Sequence, residues 1–113
     1  MINKLCHFEI GCRDRAKAGD FYGKMFEWKM EETPHATMIR TNDDVGGHLN
    51  ALGHEPHNYT IFYIMVENVA QALAKAESLG GKKLVGPVQV PGSQTYFGWF
   101  ADPEGNTIGV YSE

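Results

Sequence analysis

Only 2 cysteines occur in 113 residues, which excludes a disulfide-stapled scaffold. Cys6 and Cys12 fall at opposite ends of one expected strand, about 20 Å apart at roughly 3.3 Å per residue. That is beyond disulfide reach, so both read as reduced thiols. Positive charge is also scarce: 10 Lys and Arg stand against 14 Asp and Glu, for a net charge of -4, and the longest basic cluster is Lys82-Lys83. Nucleic acid and anionic membrane are therefore excluded as expected partners. Long apolar runs are missing too, the longest being Ile61 to Val66, against roughly 20 residues for a bilayer span. Met1-Ile2-Asn3-Lys4 carries no apolar signal region, and the expected location is cytoplasmic. What remains, 42% hydrophobic, 12% aromatic and 21% charged residues, suits a soluble globular chain with one core.

Two halves follow the same order of elements. Leu5 to Cys12 alternates Phe8 and Ile10 with His7 and Glu9, the mark of a half-buried strand. Asp14 then caps a helix carrying Ala18, Phe21, Tyr22, Met25 and Phe26 as one apolar stripe, with Phe26 and Trp28 expected in the core. Segments around Trp28 to Glu32, Ala36 to Thr41 and Val45 to Leu52 give three strands, separated by Pro34 and by Asn42-Asp43-Asp44. After the linker Gly53 to Asn58, Tyr59 to Val66 is a β-rich run, and Asn68 caps a helix with Val69, Ala72, Leu73, Ala76 and Leu79 on one face. Gly80-Gly81 ends it. Lys83 to Val85, Gln94 to Ala101 and Thr107 to Tyr111 are three further strands, punctuated by Gly86-Pro87, Pro91-Gly92 and the turn Asp102-Pro103-Glu104-Gly105. The expected division is 1–53 and 54–113, one unit duplicated in order. The fold class is α+β, with the helices on the outer face of a curved mixed sheet.

A helix covers only one face of such a sheet, so the opposite faces form a cup or meet a partner chain. That face carries His7 and Glu9 on the first strand, Gly46, His48 and Asn50 on the fourth, and Tyr59, Ile61, Tyr63 and Met65 on the fifth. His7 and Glu9 start about 6–7 Å apart on one strand face, two residues on. With His48 they could form a two-histidine, one-carboxylate metal set. Alternatively His7 is a hydrogen-bonded wall residue and Glu9 a paired carboxylate, or either is a metal-free proton acceptor and the catalytic group. Tyr59, Ile61, Tyr63, Phe97 and Trp99 are the candidate ligand-binding wall; the aromatics among them could equally close a core or a dimer interface. His35, His54 and His57 lie in loops and are expected at the surface. The pairs Gly46-Gly47 and Gly80-Gly81 lack the spacing of a phosphate loop.

Five motifs in order, His7-Phe8-Glu9-Ile10, Asp20-Phe21-Tyr22 with Phe26-Glu27-Trp28, Val45-Gly46-Gly47, Ala72 to Gly81, and Asp102 to Asn106 before Ile108, carry a family resemblance. The chain resembles the vicinal oxygen chelate superfamily of glyoxalase I, bleomycin-resistance proteins and extradiol dioxygenases. It is most similar to the short bacterial proteins related to lactoylglutathione lyase. The resemblance implies paired βαβββ modules around a cup-shaped site and a homodimer. It also implies metal ligands on the first, fourth, fifth and eighth strands. Those positions fall on His7, His48, Ile61 and Gly109, and the last two cannot ligate.

The expected function is a superfamily protein that binds or acts on a small molecule in the cup, without the full metal site and with no cofactor. One alternative is a glyoxalase-like lyase, isomerase or dioxygenase using zinc, nickel, manganese or iron at His7, Glu9 and His48. Another is a metal-free protein that sequesters a drug-like ligand; the acidic balance then favours a cationic one. A third is a module whose cup is filled by its own side chains.

Overall fold

The structure is a computed structural model that describes residues 2–113. Along the chain run β1 (Leu5–Gly11), α1 (Arg15–Phe26), β2 (Lys29–Glu32), β3 (Thr37–Arg40), β4 (Gly46–Asn50), β5 (Thr60–Met65), α2 (Val69–Ser78), β6 (Lys82–Gln89), β7 (Tyr96–Ala101) and β8 (Thr107–Ser112). The fold is α+β, and the strand-helix-strand-strand-strand order occurs twice. Contacts group the chain into two compact units, Cys6–Ile61 and residues 2–5 with Phe62–Glu113.

In the unit Cys6–Ile61 the strand order is β2-β3-β4-β1. β2 and β3 pair antiparallel, as do β3 and β4, whereas β1 and β4 run parallel. Asp14 caps α1 as the sequence predicts, its carboxylate accepting from the Lys17 amide at 3.0 Å. The apolar stripe of α1 does not behave as the spacing predicts. Phe21 and Met25 are 60% and 61% exposed, and Phe26, expected in the core, is 47% exposed. The helix instead approaches the sheet through small residues: Gly19 is buried, and a Cβ there would already touch Met30 Cγ at 3.5 Å and Leu49 Cδ1 at 3.7 Å. Close approach of the backbone turns the neighbouring large side chains outward. Phe26 keeps a tilted contact with Trp28, at a ring separation of 5.0 Å, while Tyr22 stacks on the same indole at 6.1 Å.

The other unit orders its strands β5-β8-β7-β6, with β5 and β8 parallel and the remaining pairs antiparallel. Asn68 caps α2 by accepting from the Gln71 amide at 2.9 Å. Val69, Leu73 and Val110 form a core cluster with Val66, Ala72 and Phe100 against it. Gly98 admits the helix, because a Cβ there would lie 2.8 Å from Leu73 Cδ1 and 3.0 Å from Val69 Cγ1. Leu79, placed by its spacing on the packed face of α2, sits past the last helical turn and is 70% exposed.

Gly86-Pro87 reads in sequence as the end of a strand, yet β6 continues through it to Gln89. An edge position makes this tolerable: among the described residues β6 pairs only with β7, and two register shifts absorb the irregularity. Asp102 organises the turn before β8 as its motif predicts, accepting at 2.9 Å from the amides of both Glu104 and Asn106. Among the described residues no helix is long and apolar enough to cross a membrane.

Candidate functional site

The register of β1 on β4 places Glu9 beside His48 and His7 beside Gly46. Phe8 and Ile10 pair instead with Gly47 and Leu49, on the face that α1 covers. Alternation along the strands therefore puts His7, Glu9 and His48 together on the face away from the helix. His7 Nε2 and His48 Nδ1 are 2.7 Å apart, with ring centroids at 5.0 Å. Glu9 Oε1 faces the other nitrogen of His48, Nε2, at 3.5 Å. Its second oxygen, Oε2, accepts a hydrogen bond from the Tyr59 hydroxyl. Four side chains from β1, β4 and the residue before β5 thus make one line, His7, His48, Glu9 and Tyr59.

Burial sets the charges of the two imidazoles and the phenol. Glu9 is 2% exposed, and among the described residues no buried side-chain polar atom is left without a hydrogen-bond partner. Burial and then the neighbouring His48 push the His7 pKa down to about 4, against a smaller opposing pull from Glu9. Burial likewise lowers the His48 pKa, again opposed by Glu9. Burial first, and the bond to Glu9 second, raise the Tyr59 pKa. Both imidazoles are therefore neutral at pH 7 and the phenol keeps its proton. With Glu9 Oε1 as the acceptor, the His48 proton lies on Nε2, where that oxygen faces it. Nδ1 of His48 then accepts from His7 Nε2–H. Every proton in the line points toward Glu9.

Tyr59 enters this arrangement through a residue that sequence reading passed over. A Cβ at Gly11 would fall on the Tyr59 ring and 2.5 Å from the His57 carbonyl oxygen, and the Gly11 amide donates to the Tyr59 carbonyl at 2.8 Å. Glycine inside a strand is the available sign of such an approach. The other wall candidates lie elsewhere. Ile61 is 5% exposed at the end of the Cys6–Ile61 unit. Tyr63 and Trp99 flank Gly109 across three strands of the second unit, with Trp99 Nε1 donating to the Tyr63 hydroxyl at 2.8 Å. Phe97, two residues before Trp99, shares its strand face and is half-buried. His35 and His54 are exposed, while His57 is half-buried and bonds to Glu55 at 3.1 Å.

The family model for the glyoxalase/bleomycin resistance protein/dioxygenase superfamily matches residues 4–110. The chain belongs to that superfamily. No curated protein matches it significantly. Solved structures show the same superfamily fold at low identity. A Streptomyces coelicolor methylmalonyl-CoA epimerase variant in complex with 2-nitronate-propionyl-CoA is 12% identical with a TM-score of 0.74, covering 100% of this chain and 99% of that one. Methylmalonyl-CoA epimerase from Mycobacterium tuberculosis is 11% identical with a TM-score of 0.73, covering 98% and 88%. A hypothetical protein from Bacillus halodurans C-125 is 16% identical with a TM-score of 0.72, covering 98% and 94%.

Of the four positions that the superfamily resemblance assigns to metal ligands, His7 and His48 carry donors and Ile61 has none. Gly109 has no side chain, and the Tyr63 ring occupies the space where one would begin. His7 and His48 direct their facing nitrogens at each other, and Glu9 addresses the far nitrogen of His48. Among the described residues no three His, Cys, Asp or Glu side chains are grouped so as to hold a metal ion. A catalytic centre needs about three protein ligands converging on one point. This donor set does not fit one.

Proposed function

We propose that this superfamily member binds a small oxygenated molecule and exchanges a proton with it at His7, with no step through a metal centre. The observation that carries the reading is the unbroken line from His7 through His48 to the buried Glu9. A neutral imidazole offers the lone pair that a general base needs. When a substrate C–H or O–H bond breaks, its proton goes to the His7 imidazole and the electron pair stays on the substrate. The positive charge that arrives is then balanced through His48 by Glu9, two groups away. Glu9 is too enclosed to meet the substrate itself, so it positions His48 and His7 is the catalytic residue. General bases of this kind contribute about 10²–10⁴-fold in rate.

The test is proton-deuteron exchange in D₂O with chelator present, followed by NMR on methylmalonyl-CoA and pyruvate as probes. Catalysed exchange is expected, with a loss of about 100-fold or more in His7→Gln. Exchange equal in wild type and His7→Gln, or none with either probe, would sink the reading.

One observation favours a second reading, binding without chemistry. Trp99, held by its bond to the buried Tyr63, shares a half-buried strand face with Phe97, a surface suited to stacking a planar ligand. The net charge of -4 favours a cation. Micromolar quenching of tryptophan fluorescence by a planar cation such as ethidium, absent in Trp99→Phe, is the expected result on this reading. Quenching that survives in Trp99→Phe counts against it, because Trp28 would then be the reporter.

A further inference from the structure

We infer that Arg40 and Lys29 form an anion site on the sheet face that bears His7, so that the small molecule handled there carries a carboxylate or phosphate. Its role as a substrate rests on the proton-exchange reading above; anion binding at Arg40 does not.

Strand register brings these residues into one row. Lys29 stands opposite Arg40, and His7 stands opposite Gly46. The pairing of β3 with β4 runs Thr37 to Leu49, Met38 to His48 and Ile39 to Gly47, which brings Arg40 next to Gly46. Alternation turns Arg40 and Lys29 to the same face as Met38 and His48, whereas Met30 and Ile39 take the face of α1. Across β2-β3-β4-β1 the row is therefore Lys29, Arg40, Gly46, His7. Gly46 leaves the place between Arg40 and His7 without a side chain. Among the described residues, its chain neighbours aside, a Cβ there would have only the Ile39 carbonyl oxygen within 4 Å, at 3.1 Å. At Gly11 and Gly109 an aromatic ring takes that place. Two strand spacings, about 10 Å, separate the Cα atoms of Arg40 and His7, so a short acid fits between guanidinium and imidazole.

Charge points the same way. Like charges directly opposite on antiparallel strands repel. Among the described residues no ion pair relieves Arg40 or Lys29. Glu32 is turned to Arg15 and the Thr37 hydroxyl, Asp43 to the Val45 amide at 2.9 Å, and Glu31, on the same face, stands opposite Met38. In a chain of net charge -4, two exposed cations side by side are a local cost that an anion beside them removes. Arg40, the nearer to His7, offers the planar fork that grips a carboxylate or phosphate with two bonds. Lys29, one strand farther out, adds charge. An anion so held anchors one end of the molecule and leaves the rest over Gly46, toward His7.

The experiment titrates ¹⁵N-labelled protein at neutral pH and low ionic strength, where exposed charges are least screened. The probes are pyruvate and dihydroxyacetone phosphate, with pyruvamide and dihydroxyacetone as their neutral counterparts. The amide signals of Arg40, Gly46 and His7 are expected to shift saturably with an anion and not with its neutral counterpart, and the tighter of the two anions identifies the group. In Arg40→Gln binding is expected to weaken about tenfold or more, the scale of one hydrogen bond to a charged group. Arg40→Lys should recover part of the loss, since it keeps the charge without the fork. Lys75→Gln removes the same charge from the exposed side of α2 and should leave binding unchanged. Arg40 is exposed, and the remaining amide signals report whether each variant is folded. With the tighter anion as exchange substrate, Arg40→Gln should raise KM about tenfold and leave kcat nearly unchanged, as expected for an interaction made equally in ground and transition states. No saturable shift with either anion, equal shifts with the neutral counterparts, or wild-type affinity in Arg40→Gln overturns the site; so does an equal loss in Lys75→Gln. Anion binding at Arg40 without proton exchange supports the site and sinks the exchange reading, whereas exchange with an unchanged KM in Arg40→Gln does the reverse.

Discussion

Gly109→Glu is expected to lower the melting temperature by about 10 °C or more and to leave nickel affinity unchanged. The substitution places a carboxylate where the superfamily resemblance puts the eighth-strand metal ligand, so it looks like a repair. Its first carbon would fall on the Tyr63 ring, which is 5% exposed and tied to Trp99 at 2.8 Å. The ring must leave its position, breaking that bond. Overpacking of a buried site costs about 1–3 kcal/mol, and a charged group without a partner adds to it. A total near 3 kcal/mol corresponds to roughly the stated shift for a domain of this size. Thermal unfolding and calorimetric titration with nickel provide the check. A variant as stable as wild type with newly tight nickel binding would show that Tyr63 yields easily and that the metal site is one substitution from restoration. In Gly109→Glu with Tyr63→Ala the steric part of the loss should be smaller, although the lost ring carries its own cavity cost.

What the sequence reveals of this protein divides by the range of the interactions involved. The helix starts at Asp14 and Asn68 and the turn at Asp102 depend on contacts within four residues, and each is present as predicted. The strand faces follow from alternation, which is why His7, Glu9 and His48 were legible as neighbours. Their order along the line was not. The His7 contact with His48 joins residues 41 apart in sequence, and the bond from Tyr59 to Glu9 joins residues 50 apart. Only strand register places such pairs, and periodicity does not set register. Spacing also failed on α1, where small residues rather than the apolar stripe meet the sheet. The stripe names Phe21 and Met25, but the approach permitted by Gly19 determines which side is covered. Gly11 was passed over for a similar reason: its importance lies in the ring that occupies its place, and that ring comes from the other end of the unit.

Acidification gives the second large effect: stability should fall as pH drops from 6.5 toward 4. His7 has its pKa lowered from 6.5 to about 4 in the folded chain, by burial first and by His48 second. Below 6.5 the unfolded chain takes up a proton that the folded chain refuses, so protons favour unfolding. The stabilisation is thus complete above 6.5 and is lost progressively until the folded His7 titrates. A shift of that size sets a ceiling of about 3 kcal/mol, and partial solvent access at His7 reduces the expected loss to about 1–2 kcal/mol. His48, lowered in the same direction by burial, acts with the same sign. The upper part of this window isolates the histidines, because the lowered carboxylates act at lower pH. Hydrogen bonds from Arg13 and His57 hold the Glu55 pKa down to about 2, and those from Asn106 lower that of Asp102. Urea unfolding at intervals between pH 7 and 5 reads the slope directly. His7→Gln with His48→Gln should flatten it, even if the double variant is less stable throughout. A wild-type slope that survives in the double variant would place its source elsewhere. A wild type with no slope would mean that the line accepts a proton at little cost. The neutral imidazole on which proton exchange at His7 depends would then be missing at mildly acidic pH.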